Sequence, residues 1–581
     1  MGLNSSLQIG RSALTVSQVA LQVTGNNFAN ASTPGYSRQL VGLAPNIDAR
    51  QGGYFLGRGV GIQGITRQVD SALQARLWSG LSQESFAATV SQMLSNVEST
   101  LNELTDNDLS SEFGRFFDAW SQLANSPDQG GRRSIVIQQG RTLAASIRSL
   151  RSDLTQLRTQ LDNQLSATVQ TADSLLSRIA DLNAAIVNAE GGSSTANGLR
   201  DQRDTLVQEL SRLMDVSTVE QPSGTLDVLV GSTPVVLAGV SRGIELQRQT
   251  VNGEVRVSVN LKSDSTRLDV ASGSIGGLLD QRTSSIDSTI NSLDTIASQL
   301  IFNVNRLHST GYPKTGFTSL TGTQRVPGAD VTRALNDPAN QTFAGLPFRA
   351  VNGGFLVTVT NNVTGASETT RIDVDLDGLN SSGAPGFGDD SSVASIAAAI
   401  NALSNISASV NPDGTLRIDS DEGYTFGLSE DSSGVLAVLG VNTYFTGTNA
   451  SNIGLREALV ADPGLLAAGQ IVAGQPTDNG AALAILGLRD QSIAALGGRS
   501  ITAAWLDTAQ DVGGRSASAA NRADATKLVR ESLDAQRAAI SGVSIDEESI
   551  NLLNYQRQYQ GAARFISVID QMTQTLLSLV G

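Results

Sequence analysis

"GNNFANASTPGYSR", residues 25–38, closes a long amphipathic run with three asparagines, a Pro34-Gly35 pair and Tyr36. Asparagine and glycine tolerate left-handed backbone angles and proline has no amide hydrogen, so the stretch predicts that a helix stops and the chain turns. What the helix presents before it stops decides the fold. Upstream, Leu7, Leu14, Leu21 and Phe28 recur every seven positions, while Ile9, Val16 and Val23 do so on a second line. At about 100° per residue the two lines fall on nearly opposite sides of one helix, which therefore needs covering twice. At a chain terminus this points to one stripe for an intramolecular partner and one for a neighbouring subunit.

The other end of the chain shows the matching pattern. Leu552, Tyr555, Tyr559, Ala562, Ile566, Ile569, Thr573, Leu576 and Val580 alternate three and four apart, with one polar member. Both termini thus read as helices built for coiled-coil contact. Further rods lie between them, from Leu73 through Leu104, from Leu143 to Ile186, and from Ile286 to Leu307. The second would run roughly 65 Å at ~1.5 Å per residue. Helices resume after about residue 490.

Strands enter as insertions. "GIELQRQTVNGEVRVSVNL" alternates apolar and polar residues on both sides of Asn252-Gly253, a two-residue hairpin signal. Between 326 and 450, "FLVTVT", "RIDVDL" and "SASVNPDGTLRID" read as strands around one short helix, "SSVASIAAAINAL". The expected architecture is α+β, elongated and multi-domain: a terminal coiled coil, a long helix bundle and inserted β-rich outer domains. The boundaries are 1–40 with 541–581 for the coiled coil, 41–215 with 263–325 and 451–540 for the helical part, 216–262 for a small hairpin element, and 326–450 for an α+β outer module.

Composition narrows the chemistry. The 581 residues are 40% apolar and 16% charged with a formal charge of -15, which argues against nucleic acid, whose phosphates need a basic surface. With no cysteine and the single His308, thiolate chemistry and histidine-rich zinc sites are excluded, and a Ser-His-Asp triad would depend on that one histidine. No stretch reaches the length of a membrane span, and Asn4, Ser5, Ser6 and Gln8 interrupt any apolar core of a cleavable signal.

The motifs that suggest a ligand weaken under their own chemistry. Gly59 to Gly64 matches a dinucleotide fingerprint, with Glu84 downstream, but no buried parallel strand precedes it, so a glycine-rich strand or loop is expected. Asp373, Asp375, Asp377 and Gly378 begin like a calcium loop, yet Ala384 stands where a bidentate Glu is required, and alternating Asp on a solvent-facing strand explains them. His308 ends an apolar helix face and is expected to satisfy carbonyl groups. Arg200, Asp201, Arg203 and Asp204 are expected to form a solvated or interhelical salt-bridge network. No catalytic, cofactor-binding or metal residue is assigned.

Taken together, these segments carry a resemblance. "NNFANASTPGYSRQ" resembles the segment after the N-terminal helix of the flagellar rod, hook and hook-associated axial proteins, and "SGVSIDEESINLLNYQRQYQGAARFISVIDQM" is similar to their C-terminal axial helix. "GRGVGIQGITRQVD", "NGLRDQRDTLVQELS" and "GVLAVLGVNTYFTG" look like segments of the hook-associated members. The long helices and the DQRD segment set the chain apart from rod and hook proteins, and the Asn-rich motif sets it apart from flagellin.

The resemblance implies a structural subunit between hook and filament: a homo-oligomeric ring of about eleven copies, held by paired terminal helices. It implies as partners the hook protein, the second junction protein hook-associated protein 3 and a flagellar export chaperone, with export through the flagellar type III apparatus without a cleaved signal peptide. Asn26, Asn27 and Asn30 are expected to satisfy backbone groups in the bend and Tyr36 to anchor it against the C-terminal helix. The alternative is a surface-exposed filament-associated adhesin or enzyme whose outer module binds a ligand.

Overall fold

The computed structural model describes residues 2–51, 54–103, 108–191, 195–251, 254–313, 316–472 and 475–580. The helices of its first half are α1 (Gly2–Ala29), α2 (Ser71–Leu101), α3 (Leu109–Asn125), α4 (Gly130–Ala189), α5 (Asn197–Leu213), α6 (Gly273–Gln281) and α7 (Ser288–Ser309). Six shorter ones follow: α8 (Gly328–Val331), α9 (Gln341–Ala344), α10 (Val393–Asn401), α11 (Val435–Val438), α12 (Glu457–Ala461) and α13 (Gly480–Gly487). Two long ones close the chain, α14 (Ile501–Ser541) and α15 (Ile545–Val580). Residues divide between two compact units, one of 1–93, 160–282 and 517–581, the other of 94–159 and 283–516.

In the first unit, strands β1 (Gln39–Pro45) and β4 (Val60–Arg67) pair antiparallel from Gln39↔Arg67 to Pro45↔Val60, with the short hairpin of β2 (Ala49–Gln51) and β3 (Tyr54–Leu56) between them. The glycine-rich 59–64 stretch is therefore an antiparallel strand and its lead-in, as expected, with no βαβ unit around it. Residues 216–262 hold more than the hairpin read from the sequence. A four-stranded antiparallel meander of β5 (Val216–Glu220), β6 (Leu226–Val230), β7 (Thr233–Leu237) and β8 (Val240–Ser241) comes first. The hairpin of β9 (Ile244–Val251) and β10 (Glu254–Leu261) follows, in the register Val251↔Glu254 that leaves two residues between. Its Asn252-Gly253 turn lies outside the described residues, as does Leu104.

The charged helix α5 docks on this meander by buried polar pairing. The Arg203 guanidinium, 1% exposed, donates to Asn183 Oδ1 at 3.0 Å and to the Gly224 carbonyl at 2.7 Å. Asn183 in turn accepts from the Leu226 amide and donates to its carbonyl, both at 2.9 Å. Burying a guanidinium is costly unless its donors are met; here Nη1 is met twice and Nη2 lies 3.7 Å from Glu220, while Nε has no hydrogen-bond partner. The network is largely inside the fold rather than solvated.

In the second unit, α3 is capped by Asp108, whose carboxylate accepts from the Ser111 amide, and it buries Phe113, Phe116, Phe117 and Trp120. Tyr444 meets Phe116 and Trp120 there and donates to the Val136 carbonyl at 2.7 Å. Further along the chain are β11 (Gly311–Tyr312), β12 (Ser319–Thr321), β13 (Gly353–Asn361), β14 (Ser367–Val374), β15 (Ile406–Val410), β16 (Leu416–Ser420) and β17 (Tyr424–Ser429). They form two three-stranded antiparallel sheets, β14-β13-β17 and β12-β16-β15, beside β11 of a third. Phe355, Val357, Ile396, Ile400, Ile418 and Phe426 share the core between these two sheets and α10. The strands expected for 326–450 are thus present, with β17 in addition, but the one expected helix, α10, is accompanied by the short helices α8, α9 and α11.

Candidate functional site

The terminal helices pack antiparallel: Gly10 lies against Phe565 and Ile566, and seventeen residues on, Asn27 meets Glu548. A Cβ on Gly10 would stand 2.7 Å from Ile566 Cγ1, so glycine is what lets the two backbones approach. Val16, Ala20 and Val23 of α1 and Ala562 and Ile569 of α15 are buried in the first unit, while Ile9, Tyr555 and Ile566 are half-buried. This is the covered stripe.

The second stripe is covered only in part. Leu7, Leu14 and Leu21 are half-buried and Phe28 is exposed. On α15 Leu552, Leu553, Tyr559, Phe565, Val568, Met572, Leu576 and Leu579 are exposed, Leu579 by 76%. Of the packing residues read from the sequence, Leu552, Tyr559, Leu576 and Phe28 therefore face outward within this chain. A groove of about 390 Å³ bounded by Ile9, Gly10, Ala13, Leu43, Val60 and Phe565 runs beside the pair. β4 meets α1 at its edge, where the Val60 amide donates to Ser12 Oγ at 3.3 Å.

The Asn-rich stretch is a knot of hydrogen bonds around Asn27. The helix runs on to Ala29, so Asn26 and Asn27 belong to its last turn and the stop falls at Asn30, whose amide still reaches the Asn26 carbonyl at 3.1 Å. Asn27, 1% exposed, accepts from the Tyr36 hydroxyl at 2.8 Å and the Gln39 amide at 3.0 Å, and donates to the Gln39 carbonyl at 2.9 Å. Asn30 donates to the Asn26 carbonyl at 2.9 Å and side-chain oxygen at 3.0 Å. The turn itself is Thr33-Pro34-Gly35-Tyr36, closed by the Tyr36 amide on the Thr33 carbonyl, with Gly35 at φ +80°. Positive φ at the third position, which favours glycine, with proline common before it, is the signature of a type II turn.

Tyr36 directs its hydroxyl to Asn27, and Asn26 donates to that oxygen at 3.3 Å, so the polar anchoring expected of Tyr36 on the C-terminal helix runs through other residues. Arg38 supplies it, with Nη2 2.7 Å from the buried Glu548 carboxylate and Nη1 2.7 Å from Glu547. The Arg38 amide also donates to the Ser541 carbonyl at 3.0 Å. Burial, then the charges of Asp201 and Glu548, pushes the Tyr36 hydroxyl up to about 12, so it stays a donor.

The bend also rests on α5. The Ser37 amide donates to Asp201 at 3.3 Å, Arg67 pairs with Asp201 and Asp204 at 2.8 Å each, and Gly35 lies against Thr205. Two motifs distant in the sequence, the Asn-rich stretch and DQRD, are thus one structural joint. Arg38 and Glu548 were the residues missed; the carboxylates 546–548 in the first turn of α15 and a lone arginine after Tyr36 were the available signal.

His308 offers no catalytic arrangement. It is fully buried, its Nδ1 2.7 Å from the Asn442 carbonyl and its Nε2 accepting from the Ala467 amide at 3.1 Å, which fixes the Nδ1-protonated neutral ring.

Comparison with known proteins converges on the same segments. Residues 7–36 match the flagella basal body rod protein family and 535–579 the flagellar basal body rod FlgEFG protein C-terminal family. Residues 94–323 match the flagellar hook-associated protein FlgK helical domain. Flagellar hook-associated protein 1 of Escherichia coli K12 is 24% identical over 598 aligned positions, spanning 99% of this chain and all of that protein. Over its full length the chain is thus similar to flagellar hook-associated protein 1. Its Bacillus subtilis relative of the same name is 27% identical over 58% of this chain and 78% of its own. The flagellar hook junction protein FlgK from Burkholderia pseudomallei aligns in three dimensions with a TM-score of 0.49, at 16% identity over 80% of this chain and all of that one. The two rod-type matches fall on α1 with its bend and on the end of α14 with α15, so they contain the two helices that pair.

Proposed function

We propose that the chain is a structural subunit of the bacterial flagellum at the junction of hook and filament, needed for filament assembly and motility. The observation that carries this reading is the pair α1–α15: one stripe is closed inside the chain and the other, from Leu553 to Leu579, stays open to water. Exposed apolar side chains along a helix pair are stable in assembly and costly alone, so adjacent copies supply their cover. A closed ring of about eleven copies, contact with the hook protein below and hook-associated protein 3 above, and a chaperone that shields α15 before export all follow from that reading. So does a structural rather than enzymatic role. Among the described residues no helix is long and apolar enough to cross a membrane, which is compatible with delivery through the flagellar type III conduit to the cell exterior.

Complementation tests it. A strain lacking this protein, supplied with copies that lack 1–30 or 545–581, should make hooks without filaments and release flagellin into the medium. Copies lacking 352–432, a deletion whose flanks Val351 and Ser433 are hydrogen-bonded and which spares Asn442 and Tyr444, should still support filaments. Filament growth on terminally truncated copies would refute the proposal.

A further inference from the structure

The loop between β14 and α10 brings together three carboxylates that the ring-assembly reading does not use. Asp375 and Asp377 lie just past the strand, and Asp390 lies fifteen residues beyond Asp375, two before the helix cap Ser392. Backbone pairing staples the two ends of the loop: the Ser391 amide donates to the Asp375 carbonyl at 2.7 Å and the Asp375 amide to Ser391 Oγ at 2.9 Å. One oxygen from each of Asp375, Asp377 and Asp390 lies within 4.8 Å of the others.

A second observation comes from Asp390 alone. It is 6% exposed, and while its Oδ2 accepts from Asn336 Nδ2 at 2.6 Å and the Gly378 amide at 3.2 Å, its Oδ1 is shut off from water and has no hydrogen-bond donor. The side-chain oxygen of Asn336, on the same carboxylate, is buried and undonated too. Among the described residues no lysine or arginine forms an ion pair with these three aspartates. The neighbouring guanidiniums are engaged elsewhere, Arg371 on Asp373 and Arg333 on Asp330 and Asp337. A buried carboxylate oxygen without a donor, beside two like charges and no cation, is an arrangement that a bound cation completes.

We infer that Asp375, Asp377 and Asp390 form a calcium site in the outer module, with Asn336 holding the Asp390 carboxylate through its amide NH2. Calcium takes six to eight oxygens at about 2.3–2.6 Å, so oxygens on opposite sides of one ion stand up to roughly 5 Å apart, and all three carboxylates fit one sphere. Asp375 and Asp377 are exposed, leaving room for waters in the remaining positions. Magnesium, with bonds of about 2.0–2.1 Å and a strict octahedron, suits this spread-out set less well. The ligand missing at Ala384, where a calcium loop read from the sequence would need it, is thus supplied by Asp390. The site would tie the end of β14 to the start of α10, and its existence does not depend on the flagellar role.

Calorimetric titration of the full chain with calcium chloride, after chelator treatment, tests this. One ion per chain should bind, with a dissociation constant no weaker than the roughly 10⁻⁴–10⁻³ M range of extracellular modules, and calcium should raise the thermal midpoint relative to chelator. Asp375→Asn with Asp377→Asn, at exposed positions that leave the Asp390 contacts in place, should weaken binding at least tenfold and abolish the calcium-dependent shift. Absence of saturable binding in the wild-type chain, unchanged binding in the double variant, or magnesium binding as tightly as calcium would each overturn the assignment.

Discussion

Asn27 and Glu548 meet across the two ends of the chain: the asparagine amide lies 3.4 Å from the carboxylate, and both side chains are almost wholly buried. Arg38 closes the same contact from the other side at 2.7 Å. A buried carboxylate held by one guanidinium and one amide fixes how far α1 can slide on α15.

Asn27→Ala should therefore cost more than a helix-end substitution normally does. It strands the Gln39 amide and carbonyl and removes the acceptor of Tyr36, so about 2–3 kcal/mol of local stability should be lost. Asn26→Ala, at an exposed position, should cost under ~1 kcal/mol. Hydrogen exchange of the α1 amides in the two variants measures the difference.

At Gly10 two effects compete. Alanine is favoured over glycine in a helix interior by about 1 kcal/mol, but its Cβ would enter Ile566, and overpacking of this kind costs roughly 1–3 kcal/mol. Gly10→Ala should thus destabilise the α1–α15 pair, and Gly10→Ala on an Ile566→Ala background should stabilise it. Protease resistance of the termini across the four-variant cycle reads out the sign change.

His308 predicts a pH dependence. Burial lowers its pKa from 6.5 to about 4, so between those values the unfolded chain binds the extra proton and the folded chain does not. Its contribution is complete above about pH 6.5 and declines as pH falls toward 4, by roughly 3 kcal/mol over the window. Burial raises the carboxyls of Asp215 and Asp431, which act in the opposite direction, so the informative quantity is the difference from His308→Gln. That variant should unfold less steeply with acid across the window; an identical profile in both proteins would contradict the neutral, doubly bonded ring.

The helical frame was legible because long three-four periodicities survive any tertiary context, and α1, α4, α7 and α15 contain the runs that announce them. The stop of α1 was legible in kind but not in place. Asn26 and Asn27 look like terminators in isolation, yet the helix keeps them because Asn27 bonds forward to Gln39 across the turn, a tertiary gain that outweighs weak propensity. The β5–β8 meander escaped notice because its strands have five residues or fewer and are broken by Pro222, Gly224, Gly231 and Gly239, too short for alternation to register. Of the packing face, the periodicity marked which residues are apolar. It could not say which stripe the chain itself would cover, because Ile569 and Leu576 occupy equivalent positions of one pattern, seven apart, yet only the first is buried. Arg38 and Glu548 meet only because the two helices run antiparallel, a fact of three dimensions.

The most direct measurement concerns the uncovered flank of α15. Val568→Asp with Met572→Asp alters two exposed side chains and leaves the α1-facing residues Ala562 and Ile569 intact, so the folded chain should persist and reach the exterior. The account predicts that cells making this variant export it in normal amount yet grow hooks without filaments. Full-length filaments and wild-type swimming with both aspartates in place would contradict it.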